Sequence, residues 1–270
     1  MNVKEELKNK KVFTFDDLIL LTKVLMGKDG CPWDRVQTHE SIKYNCVEEA
    51  YELMDAIDLK DNEKIIEETG DVMFQAVFHS VLLEKESEFS MQDILNNLCG
   101  KLIGRHSHVF GSDDADNPTE VLSVWEKNKM VEKHQKTFYD SMADVPKTFP
   151  SLLRAEKLQK RAGKSGFDFE SASDVIVKLK EEIVELENAI ENKDENNIKE
   201  EVGDLLFSAV NLSRKLGVNS ELALKESSDK FLNRFKLLEE SISKDGKDIT
   251  KLSLAELDEY YCKVKENENK

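Results

Sequence analysis

Apolar residues recur along this chain at intervals of three and four. Leu18, Leu21 and Leu25 share one face of an early segment, and Ile176, Leu179, Ile183, Leu186 and Ile190 run along a later one. That spacing matches the 3.6-residue turn of an amphipathic helix. Alternating β-branched runs are missing, as are Asn-Gly or Asp-Gly turns between apolar strands. Thr14 ahead of Asp16 and Asp17, Ser90 ahead of Asp93, and Ser173 ahead of Asp174 offer N-cap oxygens, and Gly217 offers a C-terminal stop. The pattern predicts an all-α fold.

The helical pattern occurs twice. Glu48-Glu49-Ala50-Tyr51-Glu52-Leu53 returns as Glu181-Glu182-Ile183-Val184-Glu185-Leu186, an offset of 133 residues. Glu67 and Glu68 return as Glu200 and Glu201 at the same offset, and Gly70-Asp71-Val72-Met73-Phe74 as Gly203-Asp204-Leu205-Leu206-Phe207. An internal repeat of this length implies one structural unit used twice. Pro146 and Pro150 bracket the best joining segment, so the expected domains are 1–147 and 148–270. Residues 111–118, with three Asp, read as an exposed acidic loop, and residues 263–270 read as a frayed tail.

Spacing then places the acids. On a helix, Glu48, Glu49 and Glu52 project together, as do Glu181, Glu182 and Glu185. Glu68 and Asp71 are three apart on the next helix, as are Glu201 and Asp204. The connections between the paired helices, within 55–62 and 188–197, are short, which sets each pair antiparallel and turns both acid sets into one interhelical space. Carboxylates crowded beside an apolar stripe repel one another until a cation neutralises them. All-oxygen ligands select a hard divalent ion, Mg²⁺, Mn²⁺ or Ca²⁺, over zinc. A single Glu-Glu-x-x-Glu in so acidic a chain is ordinarily a solvated face. Its duplication, each time followed by an Asp entering an apolar segment, makes a metal site the stronger reading.

Basic residues follow each acid set. Lys101 and Arg105 are four apart, and so are Lys230 and Arg234; Trp125 and Lys129 are matched by Tyr261 and Lys265. An aromatic ring, a nearby cation and a Lys/Arg pair can grip a phosphate tail.

Composition narrows the partners. The net charge of −16 disfavours nucleic-acid polymers and anionic membranes. It leaves open a small phosphate ligand carried in with a cation. Four scattered cysteines form no disulfide framework, and the first residues fit neither a signal peptide nor a membrane span, so a soluble cytoplasmic protein is expected.

Other motifs are weaker. Gly163-Lys164-Ser165 resembles the end of a P-loop, but Leu158 stands where the leading Gly is needed. His106-Ser107-His108 has the wrong spacing for a helical zinc pair, and no Glu-x-x-His supports a di-iron centre.

Two copies of Glu-Glu-x-x-Glu followed by Glu-x-x-Asp, with Cys-Pro-Trp-Asp at Cys31–Asp34 and the downstream Lys/Arg pairs, resemble the MazG nucleoside triphosphate pyrophosphohydrolases. The resemblance covers roughly residues 12–266 in a two-repeat form and extends to GDVMFQAVF, RHSHVFG and EVGDLLFSAVNL. It implies helices packed as a four-helix bundle, commonly completed by a second subunit to give a homodimer. It further implies Mg²⁺-dependent cleavage of a nucleoside triphosphate to monophosphate and pyrophosphate, with Mn²⁺ a possible substitute, through a metal-activated water attacking the α-phosphorus.

Carried over, the implied metal ligands are Glu182, Glu185, Glu201 and Asp204, with Glu49, Glu52, Glu68 and Asp71 in the first repeat. Glu181 and Glu48 flank them to orient or deprotonate water. Lys230, Arg234 and Lys265 meet the triphosphate, and Lys101, Arg105, Trp125 and Lys129 are their first-repeat counterparts. Tyr261 stands where the family usually has Trp, and Asn197 where a Lys can occur. The rival reading is a non-catalytic nucleotide-binding or regulatory helical scaffold with at most one active repeat. Between the repeats, the second is the favoured active one.

Overall fold

Two lysines turn the chain at matching places. Lys60 and Lys193 end long helices in the left-handed region, both at φ 55° and ψ 34°. Asp61 and Asp194 follow at once as N-caps. Their Oδ1 atoms accept from Glu63 and Lys64, and from Asn196 and Asn197, at 3.1–3.2 Å. Each reversal therefore takes two residues, which forces the flanking helices to lie side by side.

The computed structural model describes residues 3–268, and it divides into two compact units, Met1–Glu132 and Lys133–Lys270. The first holds α1 (Val3–Asn9), α2 (Phe15–Leu25), the short α3 (Pro32–Arg35) and α4 (His39–Ile42), α5 (Asn45–Leu59), α6 (Asn62–Glu86), α7 (Met91–Arg105), α8 (Ser107–Phe110) and α9 (Pro118–Glu132). The second holds α10 (Phe138–Ala143), α11 (Ser151–Gly163), α12 (Ala172–Asn192), α13 (Glu195–Lys215), α14 (Ser220–Lys244) and α15 (Leu254–Glu268), with a single 3₁₀ turn at Ile249–Lys251. No strand occurs among the described residues. The fold is all-α, as the periodicity requires.

In each unit the most extensive pairing joins the helices on either side of the left-handed lysine, α5 with α6 and α12 with α13. Ala56 of α5 and Ala189 of α12, equivalent at the offset of 133, are both buried. In the first unit Met26, Ile42, Phe78, Val81 and Leu82 pack together, with Phe74 edge-on to Phe78 at 5.7 Å. In the second, Leu238, Ile242 and Tyr260 join α14 to α15.

Local signals differ from the sequence reading in two places. Ser171, not Ser173, caps α12: its N–H and hydroxyl donate to Asp174 at 2.9 and 2.7 Å, and the box needs the carboxylate three residues on. Residues 263–268 continue α15 in place of a frayed tail, while Asn269 and Lys270 lie outside the described residues. The Pro146–Pro150 segment connects α10 to α11, and Arg161 reaches back over it to the Ser141 carbonyl.

Apolar surface remains open. Val177 and Val184 on α12 are 67% and 53% exposed, and Leu206 on α13 is 55% exposed.

Candidate active site

The long antiparallel pairs bring the acids together. In the first unit Glu49 of α5 meets Glu68 and Asp71 of α6, and in the second Glu182 of α12 meets Glu201 and Asp204 of α13. Within each trio one carboxylate oxygen per residue lies within 4.8 Å of the others. The trios correspond residue for residue at the offset of 133. Glu182 is buried, so its charge has little water to solvate it.

Electrostatics show the crowding. Burial, then the charges of Asp204, Glu182 and Glu200, push the Glu201 carboxyl up, against the opposing pull of Lys178. Burial also raises Glu185, with its hydrogen bond to Glu182 next. In the first unit burial raises Glu49, followed by the charge of Asp71, and raises Glu68, followed by the charge of Glu52. Glu52 and Glu185 thus stand within electrostatic reach of their trios, and Glu48 adds a smaller repulsion to Glu49. Acidic oxygens that resist ionising next to one another are the donor set a hard divalent cation relieves, so the residues fit such a cation.

The two clusters differ in their neutral and cationic neighbours. Lys178 places Nζ 2.8 Å from Glu181 Oε1, 2.9 Å from Glu182 Oε1 and 4.0 Å from Glu185 Oε2. The matching residue in the first unit is Asn45. There Gln75 Nε2 donates to Glu49 Oε1 at 3.3 Å, and Ser208 occupies the equivalent place in the second unit.

The basic residues sit on the other helices. Lys101 and Arg105 lie on α7, Trp125 and Lys129 on α9, and the Arg105 guanidinium stacks 5.2 Å from the Trp125 ring. Lys101 and Arg105 line a groove of about 360 Å³ with Asn97, Asn128 and Glu132. In the second unit Lys230 and Arg234 lie on α14, with Tyr261 and Lys265 on α15. Lys265 Nζ lies 5.2 Å from the Tyr261 ring. Tyr261 therefore keeps the cation–π partnership that an indole would offer. Hydrogen bonds with Glu268 and then with Tyr261 raise the Arg234 pKa further. Within each unit the acidic and basic groups stand on different helix pairs.

Comparison with known proteins decides the family. The MazG nucleotide pyrophosphohydrolase domain matches residues 37–110 and again residues 167–238, more than half of the chain. The chain belongs to the MazG family. It is 42% identical over 251 residues to the nucleoside triphosphate pyrophosphohydrolase/pyrophosphatase MazG of Thermotoga maritima, covering 93% of this chain and 95% of that protein. It is 37% identical over 253 residues to the nucleoside triphosphate pyrophosphohydrolase of Escherichia coli, covering 93% and 96%. The two matched segments each carry one acid trio, so two MazG domains stand in tandem.

Four neighbours escaped the sequence reading. Lys178 gave a weak signal, standing three and four residues before Glu181 and Glu182 on one helix face, a spacing common in so charged a chain. Glu132 and Glu268 were legible, because they share the offset of 136 that relates Trp125 to Tyr261. Gln75 gave no signal, since its counterpart is Ser208.

Proposed function

We propose that this enzyme hydrolyses nucleoside triphosphates to nucleoside monophosphate and pyrophosphate with Mg²⁺, Mn²⁺ serving as a substitute. One observation carries the reading: in both units three carboxylates converge from two antiparallel helices to within 4.8 Å. The names of the relatives supply the substrate class.

In the second unit Glu182, Glu185, Glu201 and Asp204 would hold the cation, and in the first unit Glu49, Glu52, Glu68 and Asp71. When bound, a divalent cation supplies charge neutralisation at the phosphates and lowers the pKa of water. Glu181, and Glu48 in the first unit, orient the attacking water or take its proton. Water oxygen bonds to the α-phosphorus as the bridging oxygen to the β-phosphorus departs with pyrophosphate. Lys230 and Arg234 place positive charge where that leaving group develops negative charge. Tyr261 and Lys265 complete the grip on the nucleotide. Lys101, Arg105, Trp125 and Lys129 take the corresponding places in the first unit.

The second unit is the favoured working site, because Glu182 of its trio is buried where Glu49 of the first is only partly so. A homodimer is supported by the apolar surface that α12 and α13 leave open at Val177, Val184 and Leu206, which two further helices would cover. The net charge of −16 supports the absence of nucleic-acid polymers and membranes as partners. Among the described residues no helix is long and apolar enough to cross a membrane, and the four cysteines are free; both favour the cytoplasm.

Product analysis tests the reading, using mixed nucleoside triphosphates and Mg²⁺ with the wild type, Glu52→Gln and Glu185→Gln. Pyrophosphate and monophosphate, lost in Glu185→Gln and kept in Glu52→Gln, is the expected result. Orthophosphate and diphosphate would refute the bond assignment. Nucleotide binding without turnover would favour the regulatory scaffold.

A further inference from the structure

Arg234 is held at two of its nitrogens by one carboxylate. Nε and Nη2 each lie 2.8 Å from Glu268 Oε2. The first unit repeats the arrangement: Arg105 Nε lies 2.7 Å from Glu132 Oε2, and Nη2 lies 3.0 Å from Glu132 Oε1. Glu132 and Glu268 are 136 residues apart, as are Trp125 and Tyr261, and Lys129 and Lys265. Each last helix therefore carries aromatic, cation and carboxylate at positions i, i+4 and i+7, a single stripe on one face. The carboxylate grips the arginine that the aromatic of the same stripe also touches.

The Arg234–Glu268 pair keeps contact with water, its side chains 21% and 31% exposed, and an ion pair so placed contributes little to stability. Its recurrence in both units at a residue read as a phosphate contact calls for another role. A guanidinium is a planar fork of five N–H donors, and a carboxylate on the Nε–Nη2 edge fixes the plane while leaving the Nη1 donors for a second anion. We propose that Glu268 is a positioning residue for the pyrophosphohydrolase reaction. It clamps the Nε–Nη2 edge of Arg234 so that the opposite edge meets the triphosphate, and Glu132 does the same for Arg105. The proposal rests on the reading of Arg234 as a triphosphate contact.

Its signature is a split between kinetic constants. Without the clamp Arg234 keeps its charge, so attraction for the nucleotide persists, but its alignment with the leaving group is lost. Steady-state kinetics with ATP and Mg²⁺ would compare full-length wild type, Arg234→Ala, Glu268→Gln, Glu268→Asp and the Arg234→Ala/Glu268→Gln double variant. Glu268→Gln is expected to lower kcat about tenfold and leave KM within about threefold. Glu268→Asp should recover part of the loss, and the double variant should be no slower than Arg234→Ala alone.

The outcomes separate the two ideas. If Arg234→Ala leaves both constants unchanged, the reading of Arg234 fails and the clamp with it. If Arg234→Ala is impaired but Glu268→Gln is not, only the clamp is refuted. A lower KM in Glu268→Gln would mean that the carboxylate competes with the nucleotide, which overturns the proposal. Losses that multiply in the double variant would show that Glu268 acts independently of Arg234, and would overturn it too.

Discussion

Lys178 and Glu182 stand one helical turn apart on α12, with Nζ of the lysine 2.9 Å from Oε1 of the buried glutamate. An ammonium thus shares the cluster that a divalent cation would occupy. Glu181 and then Glu182 hold that ammonium well above the usual lysine range.

Removing that ammonium therefore changes metal affinity. Lys178→Met should bind Mn²⁺ about threefold to tenfold more tightly in the absence of nucleotide, since a competing positive charge is gone from a partly exposed site. Calorimetric titration of the metal alone measures this. Unchanged affinity would mean that Lys178 swings clear at no cost.

The acid trios also set how metal affects stability. In metal-free buffer Glu201→Gln should melt at a higher temperature than wild type, because it removes a carboxylate whose ionisation burial and Asp204 oppose. With excess Mg²⁺ the order should reverse: wild type gains about 2.7 kcal/mol at one hundred times Kd, and the variant loses a ligand. Thermal melts with EDTA and with Mg²⁺ give both halves of the comparison.

A different carboxylate governs acid stability. Arg214, with further help from Lys215, outweighs burial and holds the Asp168 pKa down to about 2, below its ordinary 3.8. The folded form thus binds its proton less readily than the unfolded form. The stabilisation is complete above pH 3.8 and is lost as pH falls through about 2. Asp168→Asn should cost about 1 kcal/mol at neutral pH after allowance for solvent screening. Denaturant melts across pH should show the gap between variant and wild type closing in that acid window.

Core packing gives a prediction confined to one domain. Phe78→Ala should cost about 3–5 kcal/mol, since the ring is 1% exposed among Met26, Ile42, Val81 and Leu82. Limited proteolysis should then cleave within the first unit while the second stays protected.

Much of this architecture could be read from the chain because its signals agree. The 3.6-residue periodicity, the duplicated Glu-Glu-x-x-Glu and the short connections each point to antiparallel helices with inward acids, as α5–α6 and α12–α13 show. The Lys178 contacts follow from i, i+4 spacing, but a lysine near glutamates is so common in a chain with 35% charged residues that spacing alone does not single it out. The Gln75 contact with Glu49 depends on how two helices face one another, which no one-dimensional pattern encodes. The capping of α12 by Ser171 shows the same limit on a smaller scale, two serines competing for one aspartate.

The two-residue reversals at Lys60–Asp61 and Lys193–Asp194 work as a phase lock. Each residue of helix advances the side-chain direction by about 100°, so one residue added between Asp194 and Glu201 would turn Glu201 and Asp204 away from Glu182, and the buried Ser208 and Val210 of the same helix with them. Length can therefore vary only outside these windows. The chain records that constraint: the spacing between its halves stays at 133 from Glu48 to Val77, then drifts to 129 at Lys101 and 136 at Trp125, once the last acid has been set.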